Sequence, residues 1–309
     1  MKRIAFGKGT APAVVAGMMR IVDRSDAEIR DLYATARKSG IDFFDHADIY
    51  GGRMHGCEER FASALRLSPA ERDEITLQTK CGIVPDRGVF DFSAAHIQRQ
   101  VEGSLKALGT DRIDVLLLHR PDALVEPGEV AQAFDALEAA GKVRSFGVSN
   151  HTPRQIDLLR TAVRQPIVAN QVQLSLVHAP VIAQPVAANM AGLAQSTVVD
   201  GGGLIEYCRI EGIAVQAWSP YQSGTAAGPF LGNPAFAELN AAIDRIADAH
   251  GVTPTGIATA WIARHPAGIQ TVLGSTTPQR VRDAAAGADV ALSRDEWYTL
   301  FRAAGHHLP

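Results

Sequence analysis

The chain has 309 residues, 46% hydrophobic and 20% charged, with a net charge of −3, the balance of a globular protein with ample core. That charge gives no electrostatic reason to expect nucleic acid or a membrane surface as a partner. MKRIAFGKGT lacks the apolar region of a signal peptide, and no stretch nears the ~18 uninterrupted apolar residues of a membrane span.

From the N-terminus, short apolar runs alternate with longer amphipathic ones. A strand is predicted over 12–18 (PAVVAGM) and a helix over 25–39, then a strand over 41–45 (IDFFD) and a helix over 57–67. Strand 74–80 (EITLQTK) leads to helix 93–108, strand 113–119 (IDVLLLH) to helix 128–141, and strand 143–149 (VRSFGVS) to helix 153–164. Strand 167–172 (IVANQV) runs into a long connection, 173–200, before helix 202–211. Strand 213–218 (IAVQAW) is followed by connection 219–233, helix 234–250 and an additional helix over 254–266. The last strand is 269–274 (IQTVLG), with a helix near 278–285. Ser25, Ser93, Thr152 before Pro153, and Asp200 before three glycines are helix-start signals.

Most of these strands read as continuous apolar runs, as expected when helices cover both faces of a sheet. Eight strands, each followed by a helix and with no composition break, predict one domain over 1–309: an α/β fold of the (β/α)8 TIM-barrel type. A doubly wound sheet is the rival, but a count of eight fits closure better. Three cysteines (Cys57, Cys81 and Cys208), an odd number with no CxxC, point to reduced thiols, space-filling roles and a cytoplasmic setting.

Three successive strands end on polar residues of different chemistry, Asp45, Lys80 and His119, and Tyr50 lies five residues past the first. In a barrel all four would project from the C-terminal edge, where active sites lie. Singly, each has an ordinary role, as a turn cap, a snorkelling lysine or a core histidine. Together they form a proton-transfer set. A nearby ammonium favours a phenolate, so Lys80 is expected to activate Tyr50 as a general acid. Asp45 would hold the ammonium in place and His119 would orient a substrate oxygen. No HxH pair, no GxSxG elbow and no GxGxxG after a strand is present, His46 and His55 stand apart, and His306–His307 is expected to be an exposed end. No metal site is expected.

On these residues the chain resembles the aldo-keto reductases. GIDFFDHADIYGG with CEERFASAL, ITLQTKCG, IDVLLLHRPD and GKVRSFGVSN occur in the family's order, and LLLHRPD with VLGSTTPQRVRDA is most similar to its bacterial oxidoreductase branch. The resemblance implies a catalytic tetrad of Asp45, Tyr50, Lys80 and His119. It implies NADP(H), with NAD(H) as the alternative, extended across the barrel mouth. Ser149, Asn150 and Gln171 would meet the carboxamide, Trp218 would stack on the nicotinamide, and Ser219 would approach the pyrophosphate. Gly274, Ser275, Thr276 and Arg280 would hold the adenosine-phosphate end. Thr277 and Ala284 depart from the family's usual lysine and asparagine. The implied activity is reversible reduction of an aldehyde or ketone, or else a cofactor-sensing subunit with little turnover. A small carbonyl or alcohol substrate would enter a pocket lined by Met18, Met19, Phe90, Tyr221 and Phe230, with 173–200 as a lid. Neither the particular substrate nor the oligomeric state is legible.

Overall fold

The computed structural model describes residues 1–187, 203–223 and 228–307. Eight parallel strands close into a barrel: β1 (Val14–Gly17), β2 (Phe43–Asp45), β3 (Thr76–Cys81), β4 (Ile113–Leu118), β5 (Val143–Ser149), β6 (Ile167–Gln173), β7 (Ala214–Trp218) and β8 (Gln270–Leu273). Their order around the barrel is their order in the chain, and β8 pairs with β1 to complete it. The predicted (β/α)8 barrel is therefore the observed fold, with all eight strands within two residues of their expected ends. Among the described residues no helix is long and apolar enough to cross a membrane.

Side chains alternate across a strand, so every second residue points into the barrel. Val15, Phe43, Val115, Leu117, Val168 and Val272 form the interior apolar layer. Outward residues pack against the helices, as Val14, Ala16 and Phe44 do on one side and Leu116, Leu118 and Val148 on the other. An N-terminal hairpin, Arg3–Phe6 paired antiparallel with Gly9–Pro12, was not legible beforehand. Its Phe6 packs edge-on against Phe43 at 5.4 Å and caps the interior layer.

The start signals act where expected. Ser25 and Thr152 form full capping boxes with Glu28 and Gln155, and the Ser93 hydroxyl accepts from the His96 amide. Each satisfies amide groups that the helix leaves unpaired, contributing roughly 1 kcal/mol. Asp200 lies outside the described residues. His306 corrects an expectation: its Nε2 lies 2.7 Å from Leu176 O and its ring packs on Phe301 at 4.7 Å, so only part of that C-terminal pair is exposed.

Candidate active site

The inward columns of β2, β3 and β4 carry the polar residues to the mouth of the barrel. Lys80 is fully buried, and its Nζ donates to Asp45 Oδ1 (2.8 Å), Asp45 Oδ2 (2.7 Å), His46 O (2.7 Å) and the Tyr50 hydroxyl (3.3 Å). The segment after β2 continues along β3, with His46 N donating to Gln78 O and Asp48 N to Lys80 O. It then turns at Gly51 (φ +100°), where a Cβ would lie 2.8 Å from Cys57 N. Only glycine permits that approach. The turn lets Tyr50 O accept from Cys57 N at 2.9 Å and fixes the tyrosine over Lys80. The Tyr50 ring meets His119 edge-on at 5.8 Å.

A polar layer lies beneath this group. Gln78 Nε2 donates to Asp45 Oδ1 (2.6 Å) and Gln216 Oε1 (2.9 Å), Gln171 Nε2 donates to the same two acceptors, and Gln216 Nε2 reaches Gln270 Oε1 at 3.0 Å. These glutamines hold Asp45 in one orientation. Sequence reading passed over Gln78, Gln216 and Gln270, although Gln78 and Gln216 stand two residues before Lys80 and Trp218, the spacing that puts them in the same inward columns.

Electrostatics at the site differs from the expectation in one respect. Burial pushes the Tyr50 phenol up, and Lys80 opposes this without reversing it, so the phenol stays above its ordinary value. His119 is held well below the usual histidine range by burial, then by Lys80 and Arg120, and is neutral near pH 7. Lys80 is raised, because Asp45 and Tyr50 outweigh the burial that would neutralise it.

His46 and His55 serve the scaffold behind the site. His55 Nδ1 lies 2.6 Å from Glu58 Oε2, and Glu58 Oε1 accepts from Thr79 at 2.6 Å. His46 is fully buried, packs edge-on against Phe61 at 4.8 Å, and burial depresses it to about 4. A histidine depressed below its unfolded value near 6.5 contributes stability above that pH and loses it as pH falls toward 4. Replacing His46 with leucine is expected to shrink the stability difference between pH 7 and pH 4.5 by about 2–3 kcal/mol. Urea titrations at both pH values check this, and an unchanged difference would show that His46 does not carry it.

A cleft of about 770 Å3 opens above the tetrad and runs past Trp218 to Gly274, Ser275 and Arg280. The Trp218 Nε1 donates to Asn150 Oδ1 (3.0 Å), and Asn150 Nδ2 donates to Ser149 Oγ (2.8 Å) and His119 O (3.4 Å). Asn150 (φ 60°) and Ser219 (φ 53°) adopt left-handed backbone at the ends of β5 and β7, a strained conformation typical of functional sites. Gln171, with its amide nitrogen committed inward, has an Oε1 that takes no donor from the described residues. At the far end the helix Pro278–Gly287 has no side-chain N-cap and no acidic residue in its first turn. Arg280 lies exposed there, without an ion pair to any described residue.

Of the expected pocket residues, Met19 and Tyr221 line the cleft. Three do not. Met18 follows the inward Gly17, so the strand's alternation turns it into the core, where it is 2% exposed. Phe230 is fully buried, and its neighbours Pro229 and Leu231 face the cleft instead. Phe90 sits 45% exposed on a short hairpin, Ile83–Val84 with Val89–Phe90, whose Ile83 is the lining residue. Thr276 adjoins the lining without joining it. Arg20 and Arg120 line the cleft and were missed; both follow strand ends, a position that could have flagged them. Of the suggested lid, 173–200, residues 188–200 lie outside those described, and none of 173–187 lines the cleft.

Residues 13–303 match the family model described as the aldo/keto reductase family. The chain is 36% identical to a 6-dehydroglucose reductase of Agrobacterium fabrum, over 97% of each chain. It is also 36% identical to an uncharacterized oxidoreductase of Bacillus subtilis, over 96% of this chain and 95% of that one. Its fold superposes on an aldo/keto reductase from Klebsiella pneumoniae in complex with NADP and acetate. That match has a TM-score of 0.74 and 25% identity, covering 97% of this chain and 94% of that one.

Proposed function

Since this chain belongs to the aldo/keto reductase family, we propose that it reduces an aldehyde or ketone to the alcohol with NADPH, reversibly, with Tyr50 donating the proton. The observation that carries this reading is the buried Lys80, which joins the Asp45 carboxylate to the Tyr50 hydroxyl. The cleft fits the cofactor. The uncapped helix start and free Arg280 suit a phosphate, the Trp218 face suits a nicotinamide, and Gln171 Oε1 suits its carboxamide. Bound NADPH would supply the hydride.

Each side chain then has one task. Neutral His119 and the Tyr50 hydroxyl bind the substrate oxygen and orient the carbonyl. Tyr50 delivers its proton as negative charge develops on that oxygen. Lys80 stabilises the phenolate that remains, and Asp45, fixed by Gln78 and Gln171, keeps Lys80 charged in its buried position. In the reverse direction the phenolate accepts the alcohol proton. We place the enzyme in the cytoplasm, on three cysteines that are buried and unpaired. NADPH oxidation across a panel of aldehydes, ketones and dicarbonyls tests the reading. Tight NADPH binding with no turnover on the whole panel would favour a cofactor sensor instead.

Arg280 is assigned the 2′-phosphate. A charge-assisted contact of this kind contributes roughly 1.5–3 kcal/mol, about tenfold to over a hundredfold in affinity. NADPH should bind more tightly than NADH by that margin, and Arg280→Ala should remove most of the gap while barely changing NADH. Equal wild-type affinities, or an unchanged ratio in the variant, would assign the phosphate elsewhere. Ala284 lies on the buried face of the same helix, so this position offers no polar contact to the adenine.

A further inference from the structure

Arg120 follows His119 at the end of β4 and lines the cleft. It is half-buried, and its guanidinium lies 5.6 Å from the centroid of the Trp218 ring. Trp218 is itself pinned by Asn150. The charge is thus held over a fixed aromatic platform, with no hydrogen bond or ion pair to any described residue. The more deeply buried Arg72 is engaged by the chain itself: it donates to Thr110 and to the Ile75 and Arg112 carbonyls and pairs with Asp114. A half-buried guanidinium that lines a cleft and has no partner among the described residues is open to an acceptor from outside the chain.

The remaining charges of the cleft narrow what that acceptor is. Arg20 donates to Gly274 O at 3.2 Å, and Arg20 and Arg280 share the cleft's far end with Gly274 and Ser275. The only carboxylate lining the cleft among the described residues is Asp45, which Lys80 neutralises. Arg120 is therefore the cation left on the substrate side, beside the histidine that faces the carbonyl. We propose that Arg120 is a specificity-determining residue and that the preferred substrate carries an oxoanion, a carboxylate above all, a few bonds from its carbonyl. This rests on the carbonyl-reductase reading and deepens it. The planar fork of the guanidinium takes two oxygens at once, which anchors one end of the substrate while Tyr50 and His119 hold the other. Orientation is fixed by two points rather than one.

The test compares kcat/KM for 4-carboxybenzaldehyde with that for its uncharged isostere 4-formylbenzamide, and for glyceraldehyde 3-phosphate with that for glyceraldehyde. Wild type should favour the charged member of at least one pair, and the pair identifies carboxylate or phosphate. Arg120→Gln should lower that preference by roughly ten- to a hundredfold, the scale of one charge-assisted contact, mainly through KM. Arg120→Lys, which keeps the charge but not the fork, should restore only part of it. A turnover-free arm titrates 4-methylbenzoate and its uncharged isostere 4-methylbenzamide into the protein with NADP+ by calorimetry. The carboxylate should bind more tightly in wild type, and Arg120→Gln should level the two. Equal rates within both pairs in wild type, or a preference unchanged in Arg120→Gln, overturns the proposal. So does a preference for neutral glyceraldehyde that the variant loses, since Arg120 would then read hydroxyls. A tenfold loss of NADPH affinity in Arg120→Gln with the preference intact also overturns it, because Arg120 would then belong to the cofactor. Discrimination in the calorimetric arm without turnover on any aldehyde would instead sink the reductase reading and leave the oxoanion site standing.

Discussion

Tyr50→Phe is expected to lower kcat for carbonyl reduction by ~10²-fold or more, the scale of general acid catalysis, while leaving fold and NADPH affinity near wild type. Among the described residues the hydroxyl makes one hydrogen bond, with Lys80 at 3.3 Å, and the ring keeps its edge-on packing against His119, so phenylalanine fits the same space. The competing donor is His119. It is a poor one, because burial, Lys80 and Arg120 hold it well below the usual histidine range and leave it neutral near pH 7. The raised Tyr50 phenol is protonated across the same range and ready to give its proton. Reduction should therefore vary little around pH 7, while alcohol oxidation, which needs the phenolate, should climb as pH rises toward the phenol's value. Steady-state rates in both directions from pH 6 to pH 10 check this. A phenylalanine variant within a few-fold of wild type would falsify the donor assignment.

The barrel and the gathering of Asp45, Lys80 and His119 at its mouth were legible for one physical reason. A strand covered on both faces is a continuous apolar run, so a charged or ring-nitrogen residue at its end stands out, as in FFD, QTK and LLLH. What lay inside the runs did not stand out. Gln78, Gln171, Gln216 and Gln270 form the layer that orients Asp45, yet only Gln171 was singled out, and as a cofactor contact. A glutamine in a strand carries no mark of the face it points to until the register is known. Met18 and Phe230 show the same limit from the other side. Both are large and apolar and both adjoin cleft residues, and only the alternation at Gly17 and the packing of the long β7 connection turn them into the core. The hairpin that contributes Ile83 has strands of two residues, too short for any period to register. Arg20 and Arg120 were overlooked because an arginine after a strand end reads as ordinary surface charge; its place in the cleft is visible only in three dimensions.

Lys80→Met should be among the most damaging single changes in this chain, in stability as well as in rate. The ammonium is 0% exposed and its partner Asp45 is 3% exposed, so the substitution leaves a carboxylate buried without its counter-charge. Breaking such a pair from one side costs about 3–5 kcal/mol. The lower half of that range is expected, because the Gln78 and Gln171 amides still donate to Asp45 Oδ1. Lys80 is a raised lysine, so its contribution is complete below its unfolded value near 10.4 and is lost only as pH rises through the higher folded value. The stability deficit should accordingly be the same at pH 6 and pH 9. Asp45→Asn/Lys80→Met removes both charges and keeps an acceptor for the two glutamines, and should recover most of the lost stability. It should not recover the rate, which is expected to stay ~10²-fold or more below wild type, because nothing remains to oppose the burial that raises the Tyr50 phenol. Urea midpoints and kcat for the single and double variants separate the two roles. A double variant that regained activity together with stability would mean that Lys80 only holds the fold, and that proton delivery does not depend on it.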